Sequence, residues 1–189
     1  VLADLSMSTD SGVTTQQRVV DVIRDSLLLF SEALSACDDP FALYGFSSIK
    51  NKQIRFQLLK NFSEIYSDAT RGRILAIDPG FYTRMGAAIR QSVSVLKLQK
   101  SRQKLLLIIS DGKPNDIDHY EGRYGIEDTR QAILEAKRQG IQPFCITIDS
   151  QANDYLPFLF GDQGFALVRD IQQLPKLLPK LYLNLTQSI

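Results

Sequence analysis

A chain of 189 residues with 44% hydrophobic and 23% charged side chains can bury a core without disulfide staples or a bound cofactor, and one domain spanning 1–189 is the simplest partition. The 22 basic and 21 acidic residues leave a formal net charge of +1, too little for a nucleic-acid backbone or an anionic membrane surface, so nucleic-acid binding is set aside. Apolar runs such as Leu105–Ile109 and Phe144–Ile148 fall far short of the roughly 20 residues that cross a bilayer, so no membrane insertion is expected.

The chain opens inside an apolar run, Val1–Leu5, that reads as a strand, as though a longer protein preceded it. A Ser/Thr/Asp cluster follows, and Val19, Val20, Ile23, Leu27, Phe30 and Leu34 then recur at helical spacing. Asp38, Asp39 and Pro40 punctuate before a strand at Phe41–Phe46, and Ile54, Phe56 and Leu58 alternate as in a half-exposed strand, together forming an antiparallel edge hairpin. A weak helical pattern covers 67–77 until Pro79 and Gly80 stop it. A stronger one covers 83–98, with Met85, Ile89, Val93 and Leu96 on one face and Thr83 in the N-cap position.

Leu105–Ile109 has the continuous apolar character of a strand covered on both faces, and it ends at Ser110-Asp111-Gly112. A polar loop over 111–125 is expected to precede a helix over 126–139 that Gly140 terminates. After it come a strand over 141–149, a short helix over 153–160, an edge strand over 165–168 and an apolar helix over 174–185 in which Pro175 and Pro179 mark first-turn positions or a kink. Cys37 at a helix end and Cys145 in a buried strand read as packing residues in a reducing cytosol. The alternation predicts an α/β fold. It is Rossmann-like and doubly wound, with a mostly parallel central sheet, one antiparallel edge strand and helices on both faces.

In such sheets ligands sit outside the carboxyl ends of the strands. Asp4, Ser6 and Ser8 follow the first strand, Thr83 starts a helix, and Asp111 follows the central strand. Taken singly, each could be only a turn or cap residue. Taken together they form a hard-oxygen set without His or Cys, which selects Mg²⁺, Mn²⁺ or Ca²⁺. If the segment stays extended, Asp4, Ser6 and Ser8 point one way and Leu5 and Met7 face the core.

Asp4-Leu5-Ser6-Met7-Ser8, Thr83-Arg84-Met85-Gly86 and Asp111 resemble the metal-ion-dependent adhesion site of von Willebrand factor A domains, and the likeness covers the whole chain. It implies that Ser6, Ser8 and Thr83 ligate the ion directly, while Asp4 and Asp111 act mainly through waters. A first shell rich in hydroxyls leaves the ion undercompensated, so a partner's Asp or Glu gains a charge-assisted bond. Asp111-Gly112-Lys113-Pro114-Asn115-Asp116, Asp118 to Thr129, Phe41 to Ser48 and Asp154-Tyr155-Leu156-Pro157 are similar to one branch of that family. This branch comprises the carboxy-terminal A domains of the nitric-oxide-reductase activation protein NorD and the rubisco activation protein CbbO.

That resemblance implies a bacterial cytoplasmic adaptor, not an enzyme, linking a hexameric MoxR-type AAA+ ATPase to a client, either rubisco or nitric oxide reductase. Arg84, Lys113, Tyr120, Arg123 and Tyr124 are the expected partner-binding residues, aromatic and arginine side chains being common interface anchors. The tyrosines and Arg123 could equally pin a long loop to its own scaffold, and Lys113 could be a locally paired charge. His119 is assigned no role. Two other functions compete with this one. A Mg²⁺-dependent phosphoryl-transfer enzyme would use Asp4 or Asp111, but Ser6 stands where that chemistry places a second Asp, and no phosphate loop or nucleophile elbow is present. An extracellular adhesion domain would use the same metal.

Overall fold

The computed structural model describes residues 1–14, 17–49, 53–80, 82–112, 122–149 and 151–187. In chain order the elements are β1 (Leu2–Asp4), a 3₁₀ turn (Met7–Asp10), β2 (Gly12–Thr14), β3 (Gln17–Arg18), α1 (Val19–Ala36), β4 (Leu43–Ile49) and β5 (Gln53–Lys60). They continue with α2 (Asp68–Leu75), α3 (Met85–Lys97), β6 (Leu105–Ser110), α4 (Gly122–Arg138), β7 (Gln142–Thr147), α5 (Leu156–Phe160), β8 (Phe165–Leu167) and α6 (Leu174–Gln187). Short 3₁₀ turns precede α5 and α6.

Six strands form one sheet in the order β5-β4-β1-β6-β7-β8, parallel throughout except for β4 against β5 at the edge. β2 and β3 form a separate two-stranded ribbon. On one face, Ala3, Leu43, Leu59, Leu107, Ile109, Phe144 and Ile146 pack with α1 and α6. On the other, Leu2, Phe46, Leu106, Ile108 and Cys145 pack with α3, α4 and α5. β6 therefore feeds both cores with alternate residues, which is why it reads as an unbroken apolar run. The expected doubly wound architecture with one antiparallel edge strand is thus the observed one. The chain order reverses at β1, which lies between β4 and β6.

Several local expectations need correction. β1 stops at Asp4 and the chain turns, so Met7 is 56% exposed and Thr9, not Met7, turns inward with no exposed surface. α3 starts at Met85 with Arg84 as its N-cap, leaving Thr83 just outside the helix. α4 starts at Gly122, four residues before the expected Ile126, and carries Gly125 as a buried position within it. Gly140, at φ 70°, ends α4 as expected. Pro175 lies in the first turn of α6, and Pro179 inside it.

Along β5, Leu58 is exposed, whereas Leu59 and Lys60 are buried. Lys60 tolerates this because its Nζ donates to the Phe41 carbonyl (2.9 Å) and the Asn61 carbonyl (3.0 Å) and lies over the Phe41 ring. Both cysteines are free. Cys37 is the exposed C-cap of α1 and Cys145 is buried in β7, where burial and the nearby Asp4 charge push its thiol upward and keep it protonated.

Candidate metal centre

β1 and β6, neighbours at the point where the sheet reverses, deliver their last residues to one edge of the sheet. Asp4 has no exposed surface, and both its carboxylate oxygens are occupied. Oδ1 accepts the Ser6 N–H (2.9 Å) and Oδ2 accepts the Ser110 hydroxyl (2.9 Å). The turn after β1 is fixed by Thr9, whose hydroxyl donates to the Ser6 carbonyl (2.6 Å). That turn, and not an extended strand, brings Ser6 Oγ within 2.9 Å of Ser8 Oγ, and Ser8 Oγ donates to Asp111 Oδ1 at 2.7 Å. Residues separated by more than 100 positions thus meet through side chains.

Thr83 arrives differently. Gly80 donates its N–H to the Leu5 carbonyl, and Tyr82 pairs with Ser48 beyond the end of the β1–β4 ladder. The Arg84 N–H donates to Ser48 Oγ at 3.2 Å, and Thr83, 5% exposed, stands between these tethers. The backbone therefore carries Thr83 to the same edge, beside the residue that precedes Ser6. Gly80 is required by close approach. A Cβ there would collide with the Ser47 side chain and lie 3.0 Å from the Leu5 carbonyl. Gly80→Ala is expected to lower the melting temperature by about 5 °C, in line with an overpacking cost of about 1–3 kcal/mol. Gly72→Ala in α2, whose Cβ would meet nothing within 4 Å, should instead raise it slightly. Equal melting of the two variants would mean that the loop before α3 is not pinned to β1.

The electrostatics of this edge are unbalanced. Burial first, and then the Asp111 charge, push the Asp4 carboxyl up to about 7, against the lowering effect of its hydrogen bonds from Ser6 and Ser110. Asp111 is also raised, by burial and then the Asp149 charge, while the Ser8 hydroxyl opposes that shift. Among the described residues, no lysine or arginine forms an ion pair with Asp4 or Asp111. Among the described residues, these two carboxyl groups thus have hydroxyls around them and no counter-charge, a situation that a cation relieves.

The donor set fits a hard ion. Neighbouring oxygens around an octahedral Mg²⁺ stand about 3 Å apart. The Ser6–Ser8 and Ser8–Asp111 spacings are 2.9 and 2.7 Å. Among the described residues, no group of three His, Cys, Asp or Glu side chains gathers as for a softer metal.

Of the expected site residues, Asp4, Ser6, Ser8 and Asp111 are joined by hydrogen bonds, and Thr83 is brought to their edge by the backbone. Ser110, which was not singled out in the sequence, is the hydroxyl that ties β6 to Asp4. Its place directly before Asp111 was the available signal. Of the expected partner-binding residues, Lys113 and Tyr120 lie outside the described residues, as does His119. Arg123 and Tyr124 belong to the first turn of α4, not to a loop. The Arg123 side chain is 91% exposed with Glu127 4.0 Å away, and Tyr124 is 66% exposed.

A family model of the von Willebrand factor type A domain matches residues 1–180. The chain belongs to that family. Over 173 residues this A domain is 62% identical to Protein NorD of Stutzerimonas stutzeri, a match covering 92% of the chain and 28% of that protein. It is 44% identical over 182 residues to Protein NorD of Brucella melitensis, covering 96% of the chain and 29% of that protein. The A domain thus spans under a third of the length of these curated relatives. A solved von Willebrand factor type A structure from Catenulispora acidiphila superposes with a TM-score of 0.67 at 16% identity, covering 95% of this chain and 40% of that one, and so shares the fold. Among the described residues, no helix is long and apolar enough to cross a membrane.

Proposed function

We propose that this A domain holds one hard divalent cation, Mg²⁺ with Mn²⁺ or Ca²⁺ as substitutes, and uses it to capture an acidic residue of a protein partner. Ser6, Ser8 and Thr83 would bind the ion through their hydroxyls, while Asp4 and Asp111 would orient those hydroxyls and bound water. The observation that carries this reading is the continuous contact Ser6 Oγ, Ser8 Oγ, Asp111 Oδ1 at an edge with one buried and one half-buried carboxyl and no paired base among the described residues. The ion supplies an open coordination position for an exogenous carboxylate. The chain's own residues keep that position at the sheet edge, where Ser8 is exposed and Asp111 half-buried.

In the wider protein, the likeness to NorD supports an intracellular adaptor that couples a MoxR-type AAA+ ATPase to a client enzyme. Because the relatives carry the NorD name, nitric oxide reductase is favoured over rubisco as that client. A nucleophilic role for Asp4 is disfavoured. It is fully buried, and both its oxygens are engaged in hydrogen bonds.

Affinity capture with the full-length protein tests the reading. The ATPase or the reductase should be recovered in Mg²⁺ or Mn²⁺ and lost in EDTA, and the Ser6→Ala, Ser8→Ala double variant should recover neither in any buffer. Equal recovery under all conditions would rule out capture through the ion.

A further inference from the structure

The polar row at the sheet edge continues onto a strand that none of the expected site residues occupies. Ser110, which donates to Asp4, pairs in register with Thr147 of β7, and the three are 2%, 0% and 1% exposed. Two residues past Thr147 stands Asp149, held from three directions. Its N–H donates to Thr147 Oγ1 (3.1 Å), its Oδ1 accepts the Gln151 N–H (2.8 Å) and its Oδ2 accepts the Tyr155 hydroxyl (2.9 Å). Tyr155 is 4% exposed, so this carboxylate is moored to a buried phenol. Neighbouring parallel strands lie about 4.8 Å apart, and Asp149 stands two residues past the end of β7, where Asp111 stands one past the end of the neighbouring β6.

Among the described residues, Asp149 forms no ion pair with a lysine or arginine. Its charge reaches Asp111, whose ionisation it opposes. It does not join Asp4 and Asp111 in a three-carboxylate cluster of metal-binding closeness. Its influence is therefore through space.

We infer that Asp149 tunes the proposed cation site without ligating it, its anchored charge keeping the ion resident before a partner arrives and moderating the ion's pull on the partner's carboxylate. This inference rests on the cation-site reading above. Two carboxylates, Asp4 and Asp111, neutralise a dication. A third fixed negative charge nearby strengthens retention of the ion and lowers the attraction left over for an incoming anion. The undercompensation expected from a hydroxyl-rich shell is reduced, and capture becomes weaker and more readily reversed on an ion that stays in place.

Opposite signs in one variant separate this role from a structural one. Asp149→Asn keeps an oxygen for the Gln151 N–H and a polar group for Tyr155, and Asp149→Ser is a second neutral replacement that keeps a turn-capping oxygen. Mn²⁺ binding is read by electron paramagnetic resonance, and carboxylate binding by the fall in water-proton relaxation as acetate displaces water from the bound Mn²⁺. In both variants Mn²⁺ affinity should fall by about 3- to 10-fold, and acetate affinity for the Mn²⁺-loaded protein should rise by about 2- to 3-fold. Both differences from wild type should shrink between about 0.05 M and about 0.5 M salt. Wild-type Mn²⁺ affinity in the folded variants, or a fall in both affinities together, would overturn the role of Asp149 while leaving the site intact. Failure of the wild-type protein to bind Mn²⁺ would overturn the cation site itself.

Discussion

Exchanging Ser6 and Ser8 together for alanine is expected to lower Mg²⁺ or Mn²⁺ affinity by at least about 100-fold, while the metal-free protein melts within about 3 °C of wild type. The two hydroxyls bond to each other and to Asp111 Oδ1, and the fold of the turn does not depend on them. The turn is held by the Ser6 N–H on Asp4 and by the Thr9 hydroxyl and N–H on the Ser6 carbonyl, all of which survive the substitutions. Isothermal titration calorimetry and thermal melts in EDTA read the two quantities separately. Near-wild-type ion binding by the double variant would move the site away from the end of β1.

Asp4→Asn should act in opposite directions on stability and binding. Asp4 binds its proton more tightly in the folded chain, at about 7, than the ordinary carboxylate value of 3.8. For a group shifted this way, stability in the metal-free state is fully present below about 4, drains as pH rises through the interval to about 7 and stays lost above it. At pH 8 the ionised, buried carboxylate is a burden that the amide lacks. The Asn side chain can still accept the Ser6 N–H, and Ser110 retains the Gly112 carbonyl as an acceptor at 3.1 Å.

In EDTA at about pH 8, Asp4→Asn is expected to melt about 5 °C above wild type, and the gap should close at about pH 4. Its ion affinity should fall by about 10- to 100-fold, the usual cost of losing a group that orients the ligands. Wild-type ion affinity should itself drop about tenfold per unit as pH falls below about 7, because the ion must displace the Asp4 proton. Melting curves without a pH-dependent gap would mean that folding does not raise the Asp4 carboxyl above its ordinary value.

How far these features could be read from the sequence depended on whether local pattern or tertiary contact decided them. β6 was legible because two helical layers bury both its faces, and Gly140 was legible because a helix end there needs a positive φ. The start of α4 was not, since Gly122 and Gly125 resemble breakers, yet Gly125 is a buried helical position whose carbonyl accepts the Thr129 hydroxyl at 2.8 Å. Extending the two-residue alternation of a strand beyond Asp4 places Met7 in the core. Three residues of strand followed by a 3₁₀ turn turn Thr9 inward instead.

The candidate site was more legible than the elements around it, because Asp4, Ser6, Ser8 and Asp111 are fixed by topology and short-range turns. Ser110 is hidden because its role exists only across strands β1 and β6, and Asp149 and Tyr155 because their bond exists only once the segment after β7 has folded. No spacing along the chain announces a hydroxyl donated from one strand end to a carboxylate on another, or a phenol that moors an aspartate six residues before it.

The most direct test of the cation site is a titration of the wild-type protein with Mn²⁺ at about pH 7.5, counting bound ions by electron paramagnetic resonance and following their exchangeable water by proton relaxation. One saturable ion per chain, keeping at least one water that acetate displaces, is the expected result. No saturable binding, or an ion bound with no exchangeable water, would contradict a cation presented to a partner's carboxylate.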